Sequence, residues 1–135
     1  MKKLLLFSLT IISSFLLSQK FTIDTLLTDK ISIRAIQLWD GKVWYAGTDS
    51  KFGYVDLENV NNKKQIRLSQ KSLQFRTLAQ NNKYFYAINI ESPAYFFQVD
   101  KKTLDSKVVF NDNDPTAFYD ALKFTDNNFG LAFSD

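Results

Sequence analysis

Hydrophobic residues fall into two regimes along this chain. From Leu4 to Leu17 they form a single run, preceded by Lys2 and Lys3 and followed by Ser18, Gln19 and Lys20. Beyond Lys20 they come in short groups with period-two alternation, separated by clusters of Asn, Asp, Gly, Lys and Ser, and helical spacing is nowhere sustained. The first regime predicts a short helical signal peptide over residues 1–19, with its positive start, apolar centre and polar exit. Ser8, Thr10, Ser13 and Ser14 interrupt the run, whereas a membrane span needs roughly 20 predominantly apolar residues. The expectation is therefore an exported protein, periplasmic or extracellular, with no stable membrane insertion after cleavage. The chain has no cysteine, so a lipid-modified N-terminal cysteine is ruled out.

The second regime, residues 20–135, predicts an all-β domain. Ile31 to Trp39 reads as a strand apolar on parts of both faces, as in a strand packed between neighbours. Asp40-Gly41 is a strong hairpin signal, since both residues tolerate positive φ. Val43 to Gly47 returns from it, Phe52 to Leu57 follows, and Asn61 to Lys64 reads as a polar loop. The pattern then recurs: Leu73 to Ala79, a turn at Gln80 to Lys83, Tyr84 to Ile90, Tyr95 to Val99 and Val108 to Phe110. A third round begins at Phe118 to Phe124 and returns through Phe129 to Phe133. Pro93 and Pro115 fall in connections, where a missing amide donor is harmless.

Superposed, Arg34-Ala35-Ile36, Arg76-Thr77-Leu78 and Asp120-Ala121-Leu122 open equivalent strands at steps of 42 and 44 residues, with Ala46, Ala87 and Ala132 in the returning strands. Repeats of this length built from short strands predict β-propeller blades, about two and a half four-stranded blades in all. Closure takes about 4 to 8 blades, so the pattern reads as the N-terminal part of a propeller whose open blade edges invite self-association.

Charge narrows the partners. The whole chain has 17 basic and 14 acidic residues; without Lys2 and Lys3 the balance is 15 to 14. Nucleic acid is therefore not an expected partner, since a phosphate-binding face needs clustered Lys and Arg. The closest basic groups, Lys63, Lys64 and Arg67, and Lys101 with Lys102, read as solvated turns. Without disulfides the domain relies on burial, for which the 11 Phe, 6 Tyr and 2 Trp beyond residue 19, of 13 Phe in the whole chain, are suited.

Two stretches carry a family resemblance. Phe118 to Phe124 with Asp126 to Asp135, and Ile33-Arg34-Ala35 with Val43 to Gly47 and Phe52-Gly53, resemble exported Bacteroidetes β-propellers. Those are similar to photosystem II stability/assembly factors and BNR-repeat, sialidase-like proteins, and often carry an oxidoreductase label. Ser134 stands where the family has glycine, and Thr48 to Tyr54 places Asp and Gly at the wrong spacing for a BNR Asp-box.

The residues themselves carry little chemistry. Histidine and cysteine are absent, which removes imidazole bases, thiolate nucleophiles and most zinc or copper sites. Four glycines form no phosphate loop, so no cofactor is expected. Asn111 to Asp114 offers oxygen ligands but lacks the Gly and Glu of a calcium loop. Asp120 with Glu91 or Asp114 provides the two carboxylates glycoside hydrolysis requires. Arg34 and Arg76 share a repeat position, which reads first as strand-end salt bridges or inter-blade contacts, with the fork that grips a carboxylate as the other use. Trp39, Trp44 and Tyr45 read as inter-blade filling, with sugar stacking as the other use. The expectation is a non-catalytic binding or assembly module for an unidentified protein or glycan, with Arg34, Arg76, Tyr119 and Asp120 near its binding face. A sialidase-like hydrolase and a truncated product without activity are the alternatives.

Overall fold

The computed structural model describes residues 25, 26, 28, 30–112, 118–123 and 128–133. The expected signal segment and the loop residues Asn113, Asp114 and Pro115 lie outside them. Among the described residues there is no helix. Strands β1 (Ile33–Trp39), β2 (Lys42–Gly47), β3 (Lys51–Asp56) and β4 (Lys63–Arg67) form one antiparallel sheet in sequence order. Strands β5 (Phe75–Gln80), β6 (Tyr84–Asn89), β7 (Ala94–Asp100) and β8 (Ser106–Asp112) form a second in the same order. A hairpin, β9 (Phe118–Lys123) and β10 (Phe129–Phe133), follows.

Local chemistry accounts for most of these boundaries. Asp40 and Gly41 have φ of 53° and 66°, the double positive-φ turn whose twist suits a hairpin. Strand β4 corrects the polar-loop expectation for Asn61 to Lys64: Lys63 and Lys64 belong to it, paired with Val55 and Tyr54. Its Lys-Lys-Gln-Ile-Arg sequence has one apolar residue and gives no alternation signal. The backbone ladder to β3 holds it, and charged side chains are the usual protection of such an edge.

The two sheets repeat each other's register over their first three strands. In β1 the register slips between Ile33 and Ala35, in β5 between Phe75 and Thr77, and in β9 between Phe118 and Asp120. The extra residues are Arg34, Arg76 and Tyr119, so the structural steps are 42 and 43. This corrects the superposition that set Asp120 against the arginines. It also separates Ala46 from Ala87: the position equivalent to Ala46 is Ile88, opposite Thr77 as Ala46 is opposite Ala35. A slip of one residue moves a side chain to the other face of a sheet, and Ala87 and Ile88 indeed belong to different core clusters.

Backbone bonds outside the ladders repeat too. The Thr48 N–H donates to Ser32 O at 3.1 Å, and the Ile90 N–H to Gln74 O at 3.0 Å. The Leu57 N–H donates to Gly41 O at 3.0 Å, and the Lys101 N–H to Lys83 O at 3.1 Å. Asp56 Oδ1 accepts from the Glu58 and Asn59 N–H groups, and Asp100 Oδ1 from those of Lys102 and Thr103. These backbone donors hold both carboxyls below the usual carboxylate range. A depressed carboxyl stabilises the fold above its unfolded-state pKa and ceases to do so as pH falls through its folded value, so both turns are at full strength near neutral pH.

The main core lies between the sheets. Trp44, Ala46 and Phe52 of the first face Phe75, Leu78, Phe85, Ala87, Phe97 and Val99 of the second, with Trp39 packed alongside. Phe85 is fully buried and touches Trp44, Phe52 and Trp39 at ring-centroid distances of 4.6, 5.7 and 6.1 Å. Trp39 and Trp44 are therefore inter-sheet filling, as the hairpin position suggested. Tyr45 instead lies opposite Gly53, where its hydroxyl accepts from Gln65 Nε2 at 2.9 Å. Gly53 is required here, because a Cβ would collide with the Lys64 carbonyl.

The sheets come together at their first strands. Gln37 Nε2 on β1 donates to Leu78 O on β5 at 2.8 Å, and Gln80 Nε2 donates to Gln37 Oε1 at 3.0 Å. Strand β5 in turn lies against β9. A second core cluster, Ala79, Tyr86, Ile88, Ala94 and Phe96, forms on the opposite face of the second sheet. The outward face of β1 differs from the expectation of a strand covered on both sides. Ile36 and Leu38 are each 64% exposed, whereas Leu78, the repeat equivalent of Ile36, is 5% exposed.

Candidate functional site

Two places carry chemistry, at opposite ends of the sheets. At the end where β1, β5 and β9 begin, the bulges hold Arg34, Arg76 and Tyr119 at one repeat position on three neighbouring strands. A bulge leaves its extra residue unpaired and re-aims its side chain. Arg34 and Arg76 are both exposed, and the described ion pairs Lys42–Asp40 and Arg67–Asp49 involve neither. Tyr119 and Asp120 are placed by backbone alone: Tyr119 is the bulged residue and Asp120 lies opposite Ala132.

A buried bracket fixes the backbone beside Arg76. Asn89 is fully buried; its Nδ2 donates to Glu91 O at 2.9 Å and Pro93 O at 3.2 Å, and its Oδ1 accepts from the Tyr95 N–H at 2.7 Å. The Glu91 carboxylate accepts from the Gln74 N–H at 2.8 and 3.0 Å and from Asn89 Nδ2 at 3.3 Å. Glu91 thus ties the entry of β5 to the loop after β6, and its oxygens are occupied by structural donors. It does not present the open carboxylate that a hydrolase pair with Asp120 would need. No cluster of metal-ligating side chains occurs among the described residues.

At the other end, where the Asp40-Gly41, 57–62 and 101–105 turns gather, the sheets line a wide-open cavity of about 410 Å³. Trp39, Trp44 and Tyr54 form its aromatic walls; Lys42, Lys64, Lys101 and Lys102 supply four cationic side chains against one carboxylate, Asp40. Lys101 is only 5% exposed. Its Nζ sits 4.6 Å from the Trp39 ring centroid and 4.7 Å from that of Phe85, and donates to Gln80 Oε1 at 2.7 Å. Lys42 Nζ lies 5.8 Å from the Tyr54 centroid and 3.4 Å from Asp40 Oδ2. The solvated-turn reading is therefore wrong for Lys101, whose ammonium is held between aromatic rings.

Compared with family models, characterised proteins and solved structures, this chain matches none. The cavity was also missed by the sequence reading, because its lysines come from three separate segments that only the fold unites. The available signal was the pair Val55-Asp56 and Val99-Asp100, which places two equivalent turns 44 residues apart and so brings Lys101 and Lys102 to the same end as Lys42.

Proposed function

We propose that this chain is an exported, non-catalytic β-propeller-type module that binds a protein or glycan through the bulge face bearing Arg34, Arg76, Tyr119 and Asp120. The observation that carries the reading is the threefold recurrence of one bulge, at Arg34, Arg76 and Tyr119, at the start of neighbouring strands. Two meander sheets that meet at their first strands support a reading as successive blades. Such stacking also accounts for the exposed Ile36 and Leu38, which occupy the position a preceding blade would cover.

Two guanidinium forks at equivalent rim positions suit a carboxylate-bearing ligand. On a panel of carboxylated glycans and acidic peptides, the chain is expected to retain at least one ligand without converting it. The double variant Arg34→Glu, Arg76→Glu should lose that binding by at least about tenfold while keeping its melting temperature. Turnover of a glycan would instead favour the hydrolase alternative. Binding unchanged in the double variant would reject the bulge face.

A further inference from the structure

We infer that the cavity between the two sheets is a second, separate binding site, for a tetrahedral oxyanion, a phosphate or sulfate group. Its volume, about 410 Å³, lies within the range of small-molecule pockets, about 300–1,000 Å³. Its ionic lining is Lys42, Lys64, Lys101 and Lys102 against Asp40 alone, and Asp40 is 66% exposed beside Lys42.

The repeat provides an internal control. The matching groove on the second sheet is lined by Tyr84, Gln98, Asp100, Thr103, Asp105, Ser106 and Lys107. Register equates Lys42 with Tyr84, Tyr54 with Gln98 and Lys64 with Lys107. That groove carries two carboxylates and one lysine, so a concentration of positive charge is no automatic product of this fold. Of these two grooves, the one between the sheets concentrates positive charge, with Lys101 and Lys102 brought to it by the second sheet.

The identity of the cations selects the ligand. Arginine presents a planar fork suited to a carboxylate, whereas lysine acts as a compact point charge with three donors. Four lysines without an arginine suit an anion that accepts donors from several directions. The aromatic walls hold two of them in place: Lys101 lies against Trp39 and Phe85, and Lys42 over Tyr54. This pre-orders two side chains that would otherwise lose rotamer freedom on binding. Lys64 and Lys102 are exposed and complete the ring from β4 and the β7–β8 turn.

Both tryptophans of the chain, Trp39 and Trp44, line the cavity, so their fluorescence reports its occupancy. Titration of the full chain with pyrophosphate, and separately with a sulfated disaccharide, should give a saturable change with at least one of them. Pyrophosphate alone would assign a phosphate ligand, and the disaccharide alone a glycan sulfate. Lys64→Glu with Lys102→Glu, both at exposed positions, should weaken the effect by at least about tenfold. The Arg34→Glu, Arg76→Glu variant should leave it unchanged, which separates this site from the bulge face. No saturable response to either probe, an equal response to malonate, or a response unaltered in the lysine variant would overturn the proposal.

Discussion

Phe85→Ala is expected to lower the stability of the domain by about 3–5 kcal/mol. The ring is fully buried at the centre of the inter-sheet core, in contact with Trp39, Trp44 and Phe52 across the interface. Truncation removes the transfer free energy of the ring and leaves a cavity that two rigid sheets cannot close. It also removes one of the two rings that hold the Lys101 ammonium. Since domains of this size have a total stability of about 5–15 kcal/mol, the variant should be partly unfolded or melt far below the parent. Denaturant unfolding followed by tryptophan fluorescence measures this; a loss under about 1 kcal/mol would mean that the sheets do not share this core.

Asn89→Ala is expected to cost at least about 3 kcal/mol and to loosen the bulge face. The alanine strands the Tyr95 N–H and the carbonyls of Glu91 and Pro93, which Asn89 now satisfies from a fully buried position, at about 1–3 kcal/mol for each group left unpaired in the interior. Glu91 loses one of its donors, and with it part of the link to the Gln74 N–H that holds the entry of β5. Amide exchange should therefore quicken at Tyr95, whose acceptor is lost, and at Gln74, Phe75 and Arg76 before it does in the first sheet. Uniform quickening across both sheets would show that Asn89 acts on global stability alone.

Much of the fold was legible in the chain because its strands follow period-two patterning with aromatic residues and because Asp40-Gly41 announces its turn. The strands of the second sheet lie within a few residues of their expected limits. Strand β4 was illegible because a backbone ladder at an exposed edge needs no apolar side chains, and Lys63-Lys64-Gln65 reads as a loop. The bulges were illegible for a related reason: the extra residue at Arg34, Arg76 or Tyr119 exists only relative to a partner strand. Without it the third repeat aligned Asp120 with the arginines and paired Ala87 with Ala46. The sequence repeat set Arg34 and Arg76 at one position, and the strand register keeps them there. The lysine cavity stayed hidden because Lys42, Lys64 and Lys101 are distant in sequence and each resembles an ordinary surface charge.

If the two sheets are successive units of one repeat, they lie together at their first strands and diverge towards their fourth. The chain has no cysteine, so paired spin labels can be placed without background. One pair at Arg34 and Arg76 and another at Lys64 and Lys107 occupy equivalent positions of the two sheets, on the first and fourth strands respectively. Radially stacked blades predict a clearly longer distance for the Lys64–Lys107 pair than for the Arg34–Arg76 pair. Equal distances would mean two parallel layers about 10 Å apart, a β-sandwich, and would contradict the account.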